Sequence, residues 1–260
     1  AAPGSVETLR AAALAETLER AYADPDFCAF ADLYGKGRSD KAAGETILHT
    51  YDFLRALPDY HRKLDEFLAP WKAERGFDKT CWHDLLLAEA ARDAKAGREL
   101  FCAALSDCKN DLVLARIEAE NKGKTDAART KGVAGANDKF AEPLERLENA
   151  AALLGEVERL AEAGEWTPLY DRLTPYVLGM EPLPGLKGMK KRLTGEHKAA
   201  VKTRADEAAG LFGQILERIA CSEDEAEADR LAALPRLQAL FAAVRDFDAR
   251  FAAKKQERKL

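Results

Sequence analysis

The chain has 260 residues, with 40 Lys and Arg against 45 Asp and Glu, a net charge of −5. Alanine numbers 50 and leucine 34, whereas valine and isoleucine together number only 11. Sheets draw on β-branched residues and helices on Ala and Leu, so a mainly β protein is excluded, and so is a doubly wound α/β fold with Val/Ile-rich parallel strands.

The expected class is therefore all-α, a multi-helix domain with long antiparallel helical hairpins. No run of about 18 apolar residues occurs, so no transmembrane helix is expected. The acidic balance excludes a uniformly basic nucleic-acid binder and leaves room for a local basic patch. The start, Ala1-Ala2-Pro3-Gly4-Ser5, lacks Met and is too short and polar for a signal peptide, as expected of a piece of a longer protein. Five cysteines with no CxxC read as free thiols in a reducing compartment, the cytoplasm.

Proline and glycine divide the chain into helices. The first runs from Val6 to about Ala23. Asp24 then caps a second helix with Pro25 at its first position, followed by Phe27, Phe30, Leu33 and Tyr34 at helical spacing. Ser39 opens a third, whose stripe is Ile47, Tyr51 and Leu54, and a fourth from about Tyr60 carries Leu64, Phe67, Leu68 and Trp71. These make a short-helix cluster over 6–76.

A long hairpin is expected over 80–163. Leu100, Phe101, Ala104, Leu105, Cys108, Leu112 and Ala115 trace one face, and the pattern resumes with Leu144, Leu147, Ala151 and Leu154. Between them, 121–139 has few large apolar residues and reads as an irregular, exposed tip. A basic helix and a second long hairpin fill 166–258. There Ser222-x-x-Glu225 reads as a capping box, and Leu237, Leu240, Val244, Phe247 and Phe251 form a 3-4-3-4 seam. Apolar residues so near the end point to a parent chain that continues.

Gly123-Lys124-Thr125 matches the end of a phosphate-binding loop, but Glu118 stands where the motif needs glycine, and a helix precedes it instead of a strand. It reads as an exposed basic loop. Cys81, His83 and Asp84 lack the second ligand pair that zinc requires, so a helix start with Cys81 and Trp82 packed inward is the plainer reading. Cys102 and Cys108 read as core thiols. The acidic run Glu223, Asp224, Glu225, Glu227 and Asp229 suits a helix N-terminus better than a cation site. No catalytic or metal-ligating residue is assigned.

The basic run is more informative. Lys187, Lys190, Lys191, Arg192, Lys198, Lys202 and Arg204 face only Glu196 as an acid within their window. Phosphate binding needs local positive charge, and no other cluster is as dense, although most charge runs are simply solvated faces.

The N-terminal block carries a further pattern: Glu19-Arg20-Ala21-Tyr22, Phe27-x-x-Phe30-x-x-Leu33-x-Gly35, Arg38-Ser39-Asp40, and Ile47-Leu48-x-x-Tyr51-x-Phe53-x-Arg55-x-Leu57-Pro58. It resembles the AddA family, the helicase–nuclease components of bacterial AddAB complexes. Trp166, the Leu183-Pro184 break, the basic helix from Lys198 to Arg204, and Phe247, Phe251, Lys254 and Lys255 are similar too. The resemblance implies that residues 1–260 are one helical accessory domain, the insertion called domain 1B. The Walker motifs, arginine finger and nuclease motif of the family have no counterpart here, so none of its catalytic residues is carried over.

The resemblance thus implies a non-catalytic fragment of an ATP- and Mg2+-dependent DNA helicase and exonuclease that acts in double-strand-break repair. Its implied partners are duplex DNA, the remainder of AddA, and AddB, the second component of the complex. In the alternative, the domain is a structural scaffold that holds the complex together without DNA contact.

Overall fold

The computed structural model describes residues 6–34, 41–72, 76–188 and 193–258. Among these are nine α-helices, one 3-10 turn and no strand. The fold is all-α, as the composition requires. The helices are α1 (Val6–Ala21), α2 (Pro25–Tyr34), α3 (Lys41–Arg55), α4 (Tyr60–Lys72), α5 (Cys81–Lys122), α6 (Asp126–Glu162), α7 (Trp166–Val177), α8 (Lys198–Arg218) and α9 (Glu223–Glu257). They form two compact units, one of Ala1–Thr80 with Asp224–Leu260, the other of Cys81–Glu223.

In the first unit, Asp24 caps α2 by accepting the Asp26 N–H at 2.9 Å. Phe27 and Phe30 then turn into a core shared with Ile47, Tyr51 and Leu54 of α3 and Leu64 of α4. Ala239, Leu240, Ala243, Val244, Phe247 and Phe251 of α9 complete it. Tyr51 meets Phe247 edge to face at 4.9 Å, a geometry that the ring quadrupoles favour. Leu33 and Phe67, which share helical stripes with core residues, remain exposed, as does Phe53 off the α3 stripe.

The sequence pattern puts α8 and α9 in one hairpin, but they belong to different units. The periodicity of α9 identifies an apolar face without saying what covers it. That face is rich in aromatic rings, and it fills the aromatic core of α2 and α3.

Among the described residues of this unit, Arg230 is the buried cation, at 6% exposure. Its guanidinium makes a bidentate pair with Glu227, both contacts 2.7 Å, and donates to the Trp71 carbonyl at the end of α4. One side chain thereby satisfies a helix-end acceptor and its own charge.

The second unit is built on heptads. In α5, Leu87, Ala90, Ala94, Gly97, Phe101, Ala104, Cys108 and Asp111 are buried at alternating spacings of three and four. Phe140, Leu147, Ala150, Leu154, Val157 and Ala161 answer from α6, and Val201, Ala205, Ala208, Phe212 and Ile215 from α8. Both helices pack on α5. The alanines and Gly97 let the backbones approach: a Cβ on Gly97 would lie 2.8 Å from Leu154 Cδ1.

The tip of the α5/α6 hairpin is much shorter than the expected 121–139, because α6 begins at Asp126. Thr125 caps it, its hydroxyl accepting the Ala128 N–H at 3.3 Å. Arg129 Nε donates to the Gly123 carbonyl at 3.0 Å and ties off α5. Ala127, Ala128, Arg129, Lys131, Ala134 and Ala136 are good helix formers, and small residues pack on small ones, as Gly132 does on Ala119. A lack of large apolar residues therefore does not prevent helix here.

Arg230→Ala is expected to cost about 2–3 kcal/mol at neutral pH, the usual loss for hydrogen bonds to a charged group. The guanidinium holds the Glu227 carboxyl below its ordinary 4.5. Part of the wild-type advantage is thus present above that value and lost as pH falls through the folded-state value. Urea unfolding of both proteins near neutrality and in acid measures this; a difference that does not change with pH would remove the ion pair from the account.

Candidate nucleic-acid interface

Asp111 continues the inward repeat of α5, yet it is a carboxylate, and it is 2% exposed. A charge so buried needs partners. They come from the segment that leads into α8. Asp111 Oδ1 accepts the Glu196 N–H at 3.1 Å, Oδ2 accepts the His197 N–H at 3.1 Å, and His197 Nδ1 donates to Oδ1 at 2.8 Å. Gly195 makes the approach possible. Its φ is +112°, and a Cβ there would lie 2.2 Å from Asp111 Oδ2. The hydrogen bond to Asp111 raises the pKa of His197 above the ordinary 6.5, and burial, with Asp111 nearby, pushes the Cys108 thiol up to about 11.

The contact is one rung of a ladder. Asp93 pairs with Arg218 at 2.5 Å, Asp107 with Arg204, and Asp111 with His197. Carboxylates ascending α5 meet cations descending α8, which sets the antiparallel register of the two helices.

The ladder bears directly on the basic run. Arg204 is turned to Asp107 of α5. Lys202 is paired with Asp206, one turn further along α8. Lys187 and Lys198 are exposed, and no ion-pair partner is found for them among the described residues. Lys190, Lys191 and Arg192 lie outside the described residues. Arg146 of α6 adds a cation that sequence reasoning misses: it donates to the Lys187 carbonyl at 3.5 Å while pairing with Glu142 at 2.8 Å. The sequence window around the run contains Glu196 but not the acids of α5, which only the fold brings near. The one signal in the sequence is Asp111, an acid three residues beyond Cys108 on an inward stripe.

Gly123-Lys124-Thr125 is the turn between two helices, and Thr125 serves as a helix cap. Cys81 and Trp82 are exposed, contrary to the expected inward packing; His83 and Leu87 face inward instead. The His83 ring lies 5.7 Å from that of Trp166. Cys102 is exposed, and of the two expected core thiols only Cys108 is buried. Among the described residues, no three His, Cys, Asp or Glu side chains converge as metal ligands, and no helix is long and apolar enough to cross a membrane. The acidic run from Glu223 lies in the first turns of α9.

No protein-family profile matches the chain. Over 251 residues, 95% of its length, it is 22% identical to a protein of Acetivibrio thermocellus that bears the name of an ATP-dependent helicase/nuclease subunit. The chain spans 18% of that relative. The similarity therefore concerns one segment of a much longer helicase/nuclease protein, and it runs through both compact units.

Gly195→Ala is expected to destabilise the protein by about 1–3 kcal/mol, the cost of strained backbone, with the Asp111 overlap added. Thermal melting should place it below Gly210→Ala, where a Cβ meets nothing. His197→Ala tests the charge of the ladder. With its pKa raised in the folded state, His197 stabilises fully below the ordinary 6.5, and the contribution is lost as pH rises through the folded value. The melting gap between wild type and His197→Ala should accordingly narrow from acid to alkaline pH. A gap that widens would reverse the assignment.

Proposed function

We propose that this chain is a non-catalytic helical segment of an ATP-dependent DNA helicase and exonuclease, and that it holds duplex DNA during double-strand-break processing. The observation that carries the reading is similarity along 95% of the chain to a protein named for helicase/nuclease activity. The parent would bind ATP and Mg2+ through motifs outside these residues, in the cytoplasm. Its partners would be the rest of AddA, and AddB.

Contact would be to phosphates rather than base edges, because a translocating enzyme must accept every sequence. Lys187 and Lys198 are the described cations best placed for it, since neither is engaged by a carboxylate among the described residues. Lys190, Lys191 and Arg192 add charge in sequence. Lys202 and Arg204 already serve Asp206 and Asp107 and would contribute less.

The scaffold reading has its own support. Val113, Leu114 and Ile117 are exposed apolar residues on the distal part of α5, and such patches mark protein contacts.

Duplex affinity across a salt series tests the reading. With about three phosphates neutralised, log K should fall against log salt with a slope near −3. Lys187→Ala with Lys198→Ala should flatten it by about two units, and Asp206→Asn, by releasing Lys202, should steepen it by up to about one unit. A double variant with unchanged affinity and slope would favour the scaffold. Independently of binding, the purified chain should show no DNA-stimulated ATP turnover and no magnesium-dependent nuclease activity. Either activity above contamination would reveal a site elsewhere in it.

A further inference from the structure

The α5/α6 hairpin extends beyond the helix that packs against it. Along α5 the inward repeat runs Phe101, Ala104, Cys108 and Asp111, then Ala115 and Ala119. Ala104 and Cys108, in the stretch that α8 covers, are 0% and 2% exposed. Ala115 and Ala119 keep the spacing but are only half-buried. The cover changes because α8 begins at Lys198, directly after the segment that closes on Asp111. α5 continues to Lys122, and α6 returns from Asp126. Among the described residues, three further turns of paired helix, about 16 Å at the helical rise, carry no third helix.

The result is a groove of about 760 Å³. Ala115 and Ala119 of α5 face Gly135 and Ala136 of α6 across its floor, Leu114 and Phe140 add larger apolar surface, and Thr194-Gly195-Glu196 lines the end near Asp111. Small floor residues let another backbone come close. A Cβ on Gly135 would meet nothing within 4 Å, so the groove is open there. Val113 and Ile117 add exposed apolar surface on the same turns of α5, of the kind that marks protein contacts.

The two edges differ in charge. On the α5 edge Glu118 and Lys122 pair with each other. On the α6 edge Lys131 and Lys139 are exposed, about two turns apart, and no ion-pair partner is found for them among the described residues. Asp111 is engaged by His197, which leaves Glu196 as the lining acid outside a pair, against two lysines. A helix is the element that this face already accepts, since α8 lies along the preceding turns of the same stripe. One that fits here carries small apolar residues at i, i+3, i+4 and i+7 and carboxylates on the side next to Lys131 and Lys139. Duplex DNA would meet the two lysines but has no apolar side chain for the floor.

We propose that the distal α5/α6 groove is a docking site for an acidic amphipathic helix of a separate protein, which takes the place beyond Asp111 that α8 holds before it. Docking here is independent of the duplex contact proposed above, since neither Lys187 nor Lys198 lines the groove.

The test uses the 260-residue chain and fluorescein-labelled helical peptides about five turns long. Each has Ala and Leu on one face, flanked by Glu or, in the control, by Lys. Fluorescence polarisation should show tighter binding of the Glu peptide. Gly135→Leu fills the groove with a better helix former than glycine. Its melting temperature should therefore not fall, while Glu-peptide binding weakens by more than about tenfold. Lys131→Glu/Lys139→Glu should weaken that binding by about tenfold, the order expected of two exposed ion pairs, and strengthen binding of the Lys peptide. Equal binding of both peptides, binding unaffected by Gly135→Leu, or no binding at millimolar peptide would overturn the docking site and leave the duplex reading as it stands. Self-association of the chain that Gly135→Leu abolishes would overturn it and assign the groove to a second copy. Loss of duplex binding in Gly135→Leu would overturn it and assign the groove to DNA.

Discussion

The inward face of α5 is shared by two helices, and most of the second unit follows from how it is composed. From Leu87 to Cys108 its heptad positions are mostly small, with Leu87 and Phe101 the large exceptions, so α6 and α8 can both approach closely. At the next inward position stands Asp111. A carboxylate there costs several kcal/mol of desolvation unless it is fully engaged. The segment before α8 provides that engagement with two backbone N–H groups and an imidazole, which fixes where α8 begins and where Lys198 emerges. A packing repeat is thus ended by a charge, and the charge positions the basic helix.

The same face explains how positive charge is distributed. Cations on α8 that look unpaired along the chain are partly consumed by α5, Arg204 by Asp107 and Arg218 by Asp93. Ion pairs at a half-buried helix interface are better shielded from salt than exposed ones. Arg204 therefore acts first in helix register, whereas Lys187 and Lys198 keep their charge for solvent. An overall charge of −5 with a few solvent-facing lysines would suit the proposed role beside a motor, since strong binding by the segment itself would slow translocation.

The first unit follows a different logic. Its core is aromatic, with Phe27, Phe30, Tyr51, Phe247 and Phe251, and large rings let short helices bury enough area to hold together. Among its described residues only one strongly buried cation is admitted, Arg230, and it is coupled both to Glu227 and to the end of α4. Aromatic rings thus cluster in the first core, whereas small residues dominate the inward face of α5 in the second unit.

The all-helical class, most helix boundaries and the two main apolar stripes are legible in the sequence, because propensity and the 3.6-residue period are local properties. Asp24 and Pro25 announce α2, and Leu240 to Phe251 announce the face of α9. Three features depend on tertiary structure. The tip at 121–139 reads as irregular because its residues are small, yet small residues suffice where Gly132 can pack on Ala119. The partner of α9 is not legible, because an apolar stripe does not name what covers it. The pairing of the basic run is not legible either, since Asp107 lies 97 residues from Arg204 in the chain. Periodicity along one helix determines which side faces inward; only the fold decides which acids wait on the other side.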